Sequence, residues 1–155
     1  MENVPTGSVL VIGIGNSYRR DDAVGLVVAR ELKERVPGPV TVLEHGGEGA
    51  DLMEVWRDAR RVILVDAARS GARPGAIHRI DGGLEPLPPS MFGDSTHAFS
   101  VAEAVELSRV LGRLPERLIV FGIEGEDYRL GTELSPAVRL AVPQVVDAVL
   151  AEIKK

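Results

Sequence analysis

Apolar residues along this chain follow two spacings that take turns. Short unbroken apolar runs are succeeded by longer segments in which apolar residues recur every three or four positions. That alternation is the pattern of an α/β protein, with strands and amphipathic helices following one another. The first strand is expected at 8–14. A helix follows at 22–36, with Val24, Val27, Val28, Leu32 and Val36 on its apolar side, and Pro37-Gly38-Pro39 stops it. A second strand spans 40–44, and the loop Gly46-Gly47-Glu48-Gly49 leads into a short helix at 50–58. The third strand, 61–66, carries Val62-Ile63-Leu64-Val65, a run apolar on both faces and so expected inside the sheet. The connection 69–74 is too short for a crossover helix, so the fourth strand, 76–81, is expected to run antiparallel. The proline-rich stretch 84–89 cannot hold regular structure and is expected to cover the site or drape over an edge. A helix at 100–111 and a strand at 117–123 follow. The last helix opens with Ser135 as N-cap and Pro136 in the first turn, and runs to Lys155 with a kink expected at Pro143.

The first strand runs into Gly13-x-Gly15, the start of a dinucleotide-binding turn. The third glycine of that motif is missing, because Tyr18 stands in its place, and Asp21 and Asp22 open the helix. A diphosphate needs free N–H groups and positive potential there, and two carboxylates repel it. The glycines therefore shape a tight loop whose acids suit a cation or a polar substrate. In an open α/β sheet, ligands sit beyond the carboxyl ends of the parallel strands. This chain places Asn16, Asp21 and Asp22 after the first strand, Glu44 and His45 after the second, Asp66 at the third and Glu124 near the end of the fifth. His97 lies in the polar approach to the third helix, Asp94-Ser95-Thr96-His97. Carboxylates and an imidazole on one edge suit a divalent ion such as nickel, zinc or manganese.

Each residue also has a plain structural reading. Asp21 fits an N-cap, Asp22 a complement to the helix dipole, and Asp66 a cap on the next turn. His97 fits a solvated loop, His45 and His78 ordinary surface or loop positions. Glu124 fits an acceptor for the loop 125–130, and Gly46-Gly47 a turn that also permits close backbone approach to a ligand. The signal is the shared location of these residues, not any one of them.

The composition narrows the choice. A chain of 155 residues is expected to form one domain, 1–155, with a core that needs no staples. There is no cysteine, which removes disulfides, thiolate nucleophiles and zinc knuckles. With a net charge of −5 and no basic stripe, nucleic acid is not expected as a partner. No apolar run reaches the length of a membrane span, and residues 1–7 lack the character of a signal peptide, so a cytoplasmic location is expected. H-E-x-x-H, G-x-S-x-G and the P-loop are all absent.

The run Gly13-x-Gly15-Asn16-x4-Asp21-Asp22-x2-Gly25 resembles the opening motif of the [NiFe]-hydrogenase maturation endopeptidases. The resemblance continues in order through Gly46-Gly47, Val65-Asp66-Ala67, Ser95-Thr96-His97 and Phe121-Gly122-Ile123-Glu124. It implies a three-layer α/β/α sandwich around a mixed five-stranded sheet with one antiparallel strand. It also implies an endopeptidase that removes a C-terminal peptide from the precursor of a hydrogenase large subunit after nickel insertion. Matched position by position, the residues that hold the divalent metal and act in catalysis are Asp22, Asp66 and His97. The nickel is expected to arrive with the substrate, and another divalent ion can substitute. Two departures stand out: Glu48 follows the glycine pair where many members have threonine, and Asp22 stands where some have glutamate. The alternatives are a non-hydrolytic nucleotide-binding α/β module, with Glu44 as its ribose acid, and a partner that binds the large subunit without cutting it.

Overall fold

The computed structural model describes residues 9–92 and 99–155. The elements run β1 (Val9–Ile14), a 3-10 turn (Arg20–Ala23), α1 (Val24–Lys33), β2 (Val40–His45), α2 (Gly49–Val55), β3 (Arg61–Ala68), β4 (Ile77–Asp81), α3 (Val101–Val110), β5 (Arg117–Glu124) and α4 (Pro136–Ile153). The five strands form one sheet in the order β2-β1-β3-β5-β4. All neighbours are parallel except β4, which pairs antiparallel with β5, as the short connection after β3 requires.

The three central strands, β1, β3 and β5, are buried on both faces because both faces are covered. On one side Leu10, Ile12, Val62, Leu64, Leu118 and Val120 meet Leu52 and Trp56 of the α2 segment and Val101 and Val105 of α3. On the other, Val11, Ile63, Val65, Ile119, Phe121 and Ile123 meet Val24, Val28 and Leu32 of α1 and the α4 residues Val138, Val142 and Val145. The result is a three-layer α/β/α sandwich. Each fully buried Val, Leu or Ile contributes about 1.5–3 kcal/mol, so the helical layers are locked to the sheet by many such contacts. Leu87, from the proline-rich stretch, is buried in the α2–α3 layer, which anchors that irregular segment.

Two helices depart from expectation. The first starts as a 3-10 turn, and its α-helical part ends at Lys33. Arg20 has a positive φ of 48°, which bends the chain before the helix. At the far end the N–H groups of Arg35 and Val36 both return to the Leu32 carbonyl, so the helix tapers before Pro37. The last helix has Ser135 and Pro136 where expected and runs from Pro136 to Ile153, with Pro143 inside it at a solvent-exposed position. Its Ser135 hydroxyl, however, makes no cap to its own helix.

The topology positions a crevice. From β1 the chain passes outward to β2, and β3 then pairs on the other side of β1. At such a reversal the loops leaving the two central strands diverge, and a cleft opens beyond their carboxyl ends. Among the described residues no helix is long and apolar enough to cross a membrane.

Candidate active site

Three glycines allow the cleft to be acid-lined. A Cβ on Gly13 would run into the Gly25 carbonyl and the Ala29 methyl, and a Cβ on Gly25 into the carbonyls of Ile14 and Val65. One on Gly15 would strike the Asp22 carbonyl. Without those carbons, the start of α1 lies directly against the ends of β1 and β3. Asp22, half-buried at the turn, and Asp66, buried near the end of β3, then line the same cleft with Gly15, Gly46, Gly47 and Arg69. Asp66 stands opposite Gly122 in the sheet register, and its Oδ1 accepts the Ala67 N–H at 2.8 Å.

Two of the three expected ligands thus share one cleft. The third, His97, lies outside the described residues, together with Asp94, Ser95 and Thr96. Ser100, three positions after His97, lines the cleft and caps α3 in a reciprocal capping box with Glu103. Among the described residues no group of three His, Asp or Glu gathers as a metal cluster.

The other candidates have structural work. Asp21 is fully buried and accepts four hydrogen bonds: the N–H groups of Glu126 (2.8 Å), Asp127 (2.9 Å) and Ser135 (2.7 Å), and the Ser135 hydroxyl (2.7 Å). It does not cap its own helix, as the sequence suggested; it ties the loop before α4 to the loop after β1. Asn16 accepts the Tyr18 N–H in a tight local turn. Glu44, the ribose acid of the nucleotide reading, pairs with Lys33 at 2.8 Å and Arg30 at 3.0 Å, and the Lys33 hydrogen bond leads in lowering its pKa. Its role is to clip α1 to β2.

Glu124 is buried and reaches forward to the loop after β3, not to 125–130. It accepts the Ser70 hydroxyl (2.5 Å), the Ser70 N–H (3.0 Å) and the Gly71 N–H (3.3 Å), and sits 3.1 Å from His78 Nε2. Burial alone raises its pKa, but the hydrogen bonds from Ser70, His78 and Gly71 outweigh it and hold the carboxyl below its ordinary range. His78 is therefore part of a polar network. So is His45, which is bonded to Gly47 and Asp51.

Sequence reasoning missed Arg69. It follows β3 directly, lines the cleft and lays its guanidinium 3.8 Å above the Tyr128 ring, a cation–π stack. The Tyr128 hydroxyl donates to the Ala68 carbonyl at 2.9 Å, and burial pushes its pKa up to about 12, so it stays a neutral donor. An arginine after a strand has no sequence signature. Only the return of Tyr128, from beyond β5, singles it out.

A cleft beyond the carboxyl edge of a mostly parallel sheet is where α/β enzymes place their sites, and here a glycine loop brings two aspartates into it. Residues 26–152 match the family model described as hydrogenase maturation protease. The chain is 31% identical to the hydrogenase expression/formation protein HupD of Bradyrhizobium diazoefficiens, over 96% of this chain and 83% of that one. It is 26% identical to the hydrogenase 2 maturation protease of Escherichia coli, over 95% and 91% respectively. In fold it is similar to the hydrogenase maturating endopeptidase HybD of E. coli, with a TM-score of 0.81 at 24% identity over 95% of this chain and 92% of that one. The chain belongs to the hydrogenase maturation protease family, whose members are peptidases. The nucleotide-binding alternative is not supported, because Glu44 is engaged with α1 and acids occupy the turn where a diphosphate would lie.

Proposed function

We propose that this protein is a cytoplasmic endopeptidase that removes a short C-terminal peptide from the precursor of a [NiFe]-hydrogenase large subunit once nickel is in place. The observation that carries the reading is the meeting of Asp22 and Asp66 in one cleft although they stand 44 positions apart in a chain of this family. Asp22, Asp66 and His97 are the residues that receive the substrate's nickel. The donor set suits this role: two carboxylates and one imidazole leave coordination positions for donors of the precursor, so the ion is held best when enzyme and substrate share it. Docking through the ion would place the scissile bond at the cleft. There a carboxylate of the pair takes a proton from the attacking water as its oxygen bonds to the carbonyl carbon, and the carboxylic acid so formed gives that proton to the leaving amine as the C–N bond breaks.

The test compares two purified precursors, one nickel-loaded and one nickel-free, each incubated with this protein and followed by mass spectrometry. Shortening of the loaded form alone is expected. Equal shortening of both would remove nickel gating. A loaded precursor that is bound but keeps its full length would replace the peptidase reading with that of a non-cutting partner.

A further inference from the structure

The glycine pair on the β2 side of the cleft is held by an imidazole. His45 ends β2, and its carbonyl accepts the Gly15 N–H at 3.0 Å, which joins it to the loop carrying Asp22. Its ring Nδ1 lies 2.8 Å from the Gly47 N–H, and its Nε2 lies 2.5 Å from Asp51 Oδ2. A backbone amide can only donate, so Nδ1 carries no proton; the ring proton sits on Nε2 and is given to the Asp51 carboxylate. Asp51 in turn donates its own N–H to Glu48, the N-cap of α2, at 3.0 Å. The chain of bonds from Gly47 through His45 and Asp51 to Glu48 returns to the residue next to Gly47, so loop and helix start form one closed ring.

What the ring holds is a stretch of nearly bare backbone. Gly47 has a φ of 95°, a left-handed conformation that glycine adopts without strain. Gly46 and Gly47 both line the cleft with Asp22 and Asp66. A peptide laid along such a backbone is positioned only as well as the loop itself is positioned.

We infer that His45 is a positioning residue for the peptidase reaction, holding Gly46-Gly47 in its substrate-facing conformation through the Nε2–H tautomer. The inference rests on the cleft's being the place of cleavage. Its geometric half does not.

The test uses the full chain and two kinds of readout. Long-range ¹⁵N–¹H NMR of the His45 ring is expected to show a bare Nδ1 and a protonated Nε2; the opposite tautomer overturns the inference whatever the activity. Processing of the nickel-loaded precursor is then compared for three substitutions. His45→Ala should lower kcat/KM on the order of 10- to 100-fold, the scale of a mispositioned site. In His45→Asn, Oδ1 takes the place of Nδ1 as acceptor for the N–H two residues on, so both activity and slow exchange of the Gly47 amide should largely return. His45→Gln reaches toward Asp51 but leaves Gly47 unbonded, and should stay as low as alanine. Rescue by glutamine and not by asparagine would show that His45 only braces α2 and would overturn the inference. A wild-type protein that leaves the precursor uncut would defeat the proposed function, while the tautomer and the Gly47 exchange would still judge the role of His45.

Discussion

Adjacent aspartates in this protein do opposite jobs, and the difference lies in what each carboxylate faces. Asp21 points inward to three N–H groups and a hydroxyl; Asp22 lines the cleft. Replacing Asp21 by alanine strands several buried donors at once and should cost about 3–5 kcal/mol, read as a lower denaturation midpoint. Asp22→Asn keeps the shape of the side chain and should change stability by less than about 1 kcal/mol, while processing of the precursor is lost. A processing assay and a urea titration on both variants check this crossed pattern, and normal cleavage by Asp22→Asn would reduce Asp22 to a complement of the helix dipole. From the sequence Asp21 reads as an N-cap and the family resemblance assigns the metal to Asp22, but nothing in it shows what Asp21 binds instead. The partners of Asp21 lie 105 to 114 positions away, beyond any local pattern. Arg69 was hidden for the same reason, because Tyr128 arrives from another strand; His45 stood among the residues expected at this edge, but its bond to the Gly47 amide, only two residues on, was not foreseen.

At the scale of elements, the fold was legible where one segment dictates its own environment. The run Val62–Val65 is apolar on both faces, so it must lie inside a covered sheet, and the short link after it forces β4 to turn back. Helix ends were less legible, because Arg20 turns with a positive φ for reasons set by the loop opposite it. The contact between α1 and the sheet depends on Gly25. Alanine there gains about 1 kcal/mol of helix propensity. Its methyl would meet the carbonyls of Ile14 and Val65, which belong to two hydrogen-bonded strands and cannot move aside, so overpacking of about 1–3 kcal/mol wins. Gly25→Ala should therefore lower Tm and, by pushing α1 off the sheet, separate Asp22 from Asp66 and slow processing. Gly38→Ala, where the added carbon meets nothing within 4 Å among the described residues, should leave processing unchanged. Equal behaviour of the two variants would refute the close-packing account.

Across the whole molecule, the end opposite the cleft is closed by one buried acid. Glu152 in the last turn of α4 takes Arg79 of β4 at 2.8 Å and Arg117 of β5 at 3.1 Å, and Arg61 of β3 donates to its carbonyl at 2.8 Å. Three strands are thereby tied to one helix at their far ends, which leaves the carboxyl ends free to diverge around the site. Burial pushes the Glu152 pKa up, but the hydrogen bonds from Arg79 and Arg117 and the charges of Arg79 and Lys155 prevail and hold it below the ordinary carboxylate range. A folded-state pKa below the unfolded value of about 4.3 means that the stabilisation is complete above that pH. It is lost as acid carries the pH down through the folded pKa, where the carboxylate is protonated and both arginines lose their counter-charge. Glu152→Gln should cost about 1–2 kcal/mol at neutral pH, moderated because both arginines are partly exposed. Below about pH 4 the gap between variant and wild type should narrow, since protonated glutamate and glutamine are then nearly equivalent. Urea midpoints measured from pH 7 downward check the convergence. A gap that stays constant into acid would mean that the arginines stabilise α4 through the backbone carbonyl bonds of Arg61 and packing, and not through the charge of Glu152.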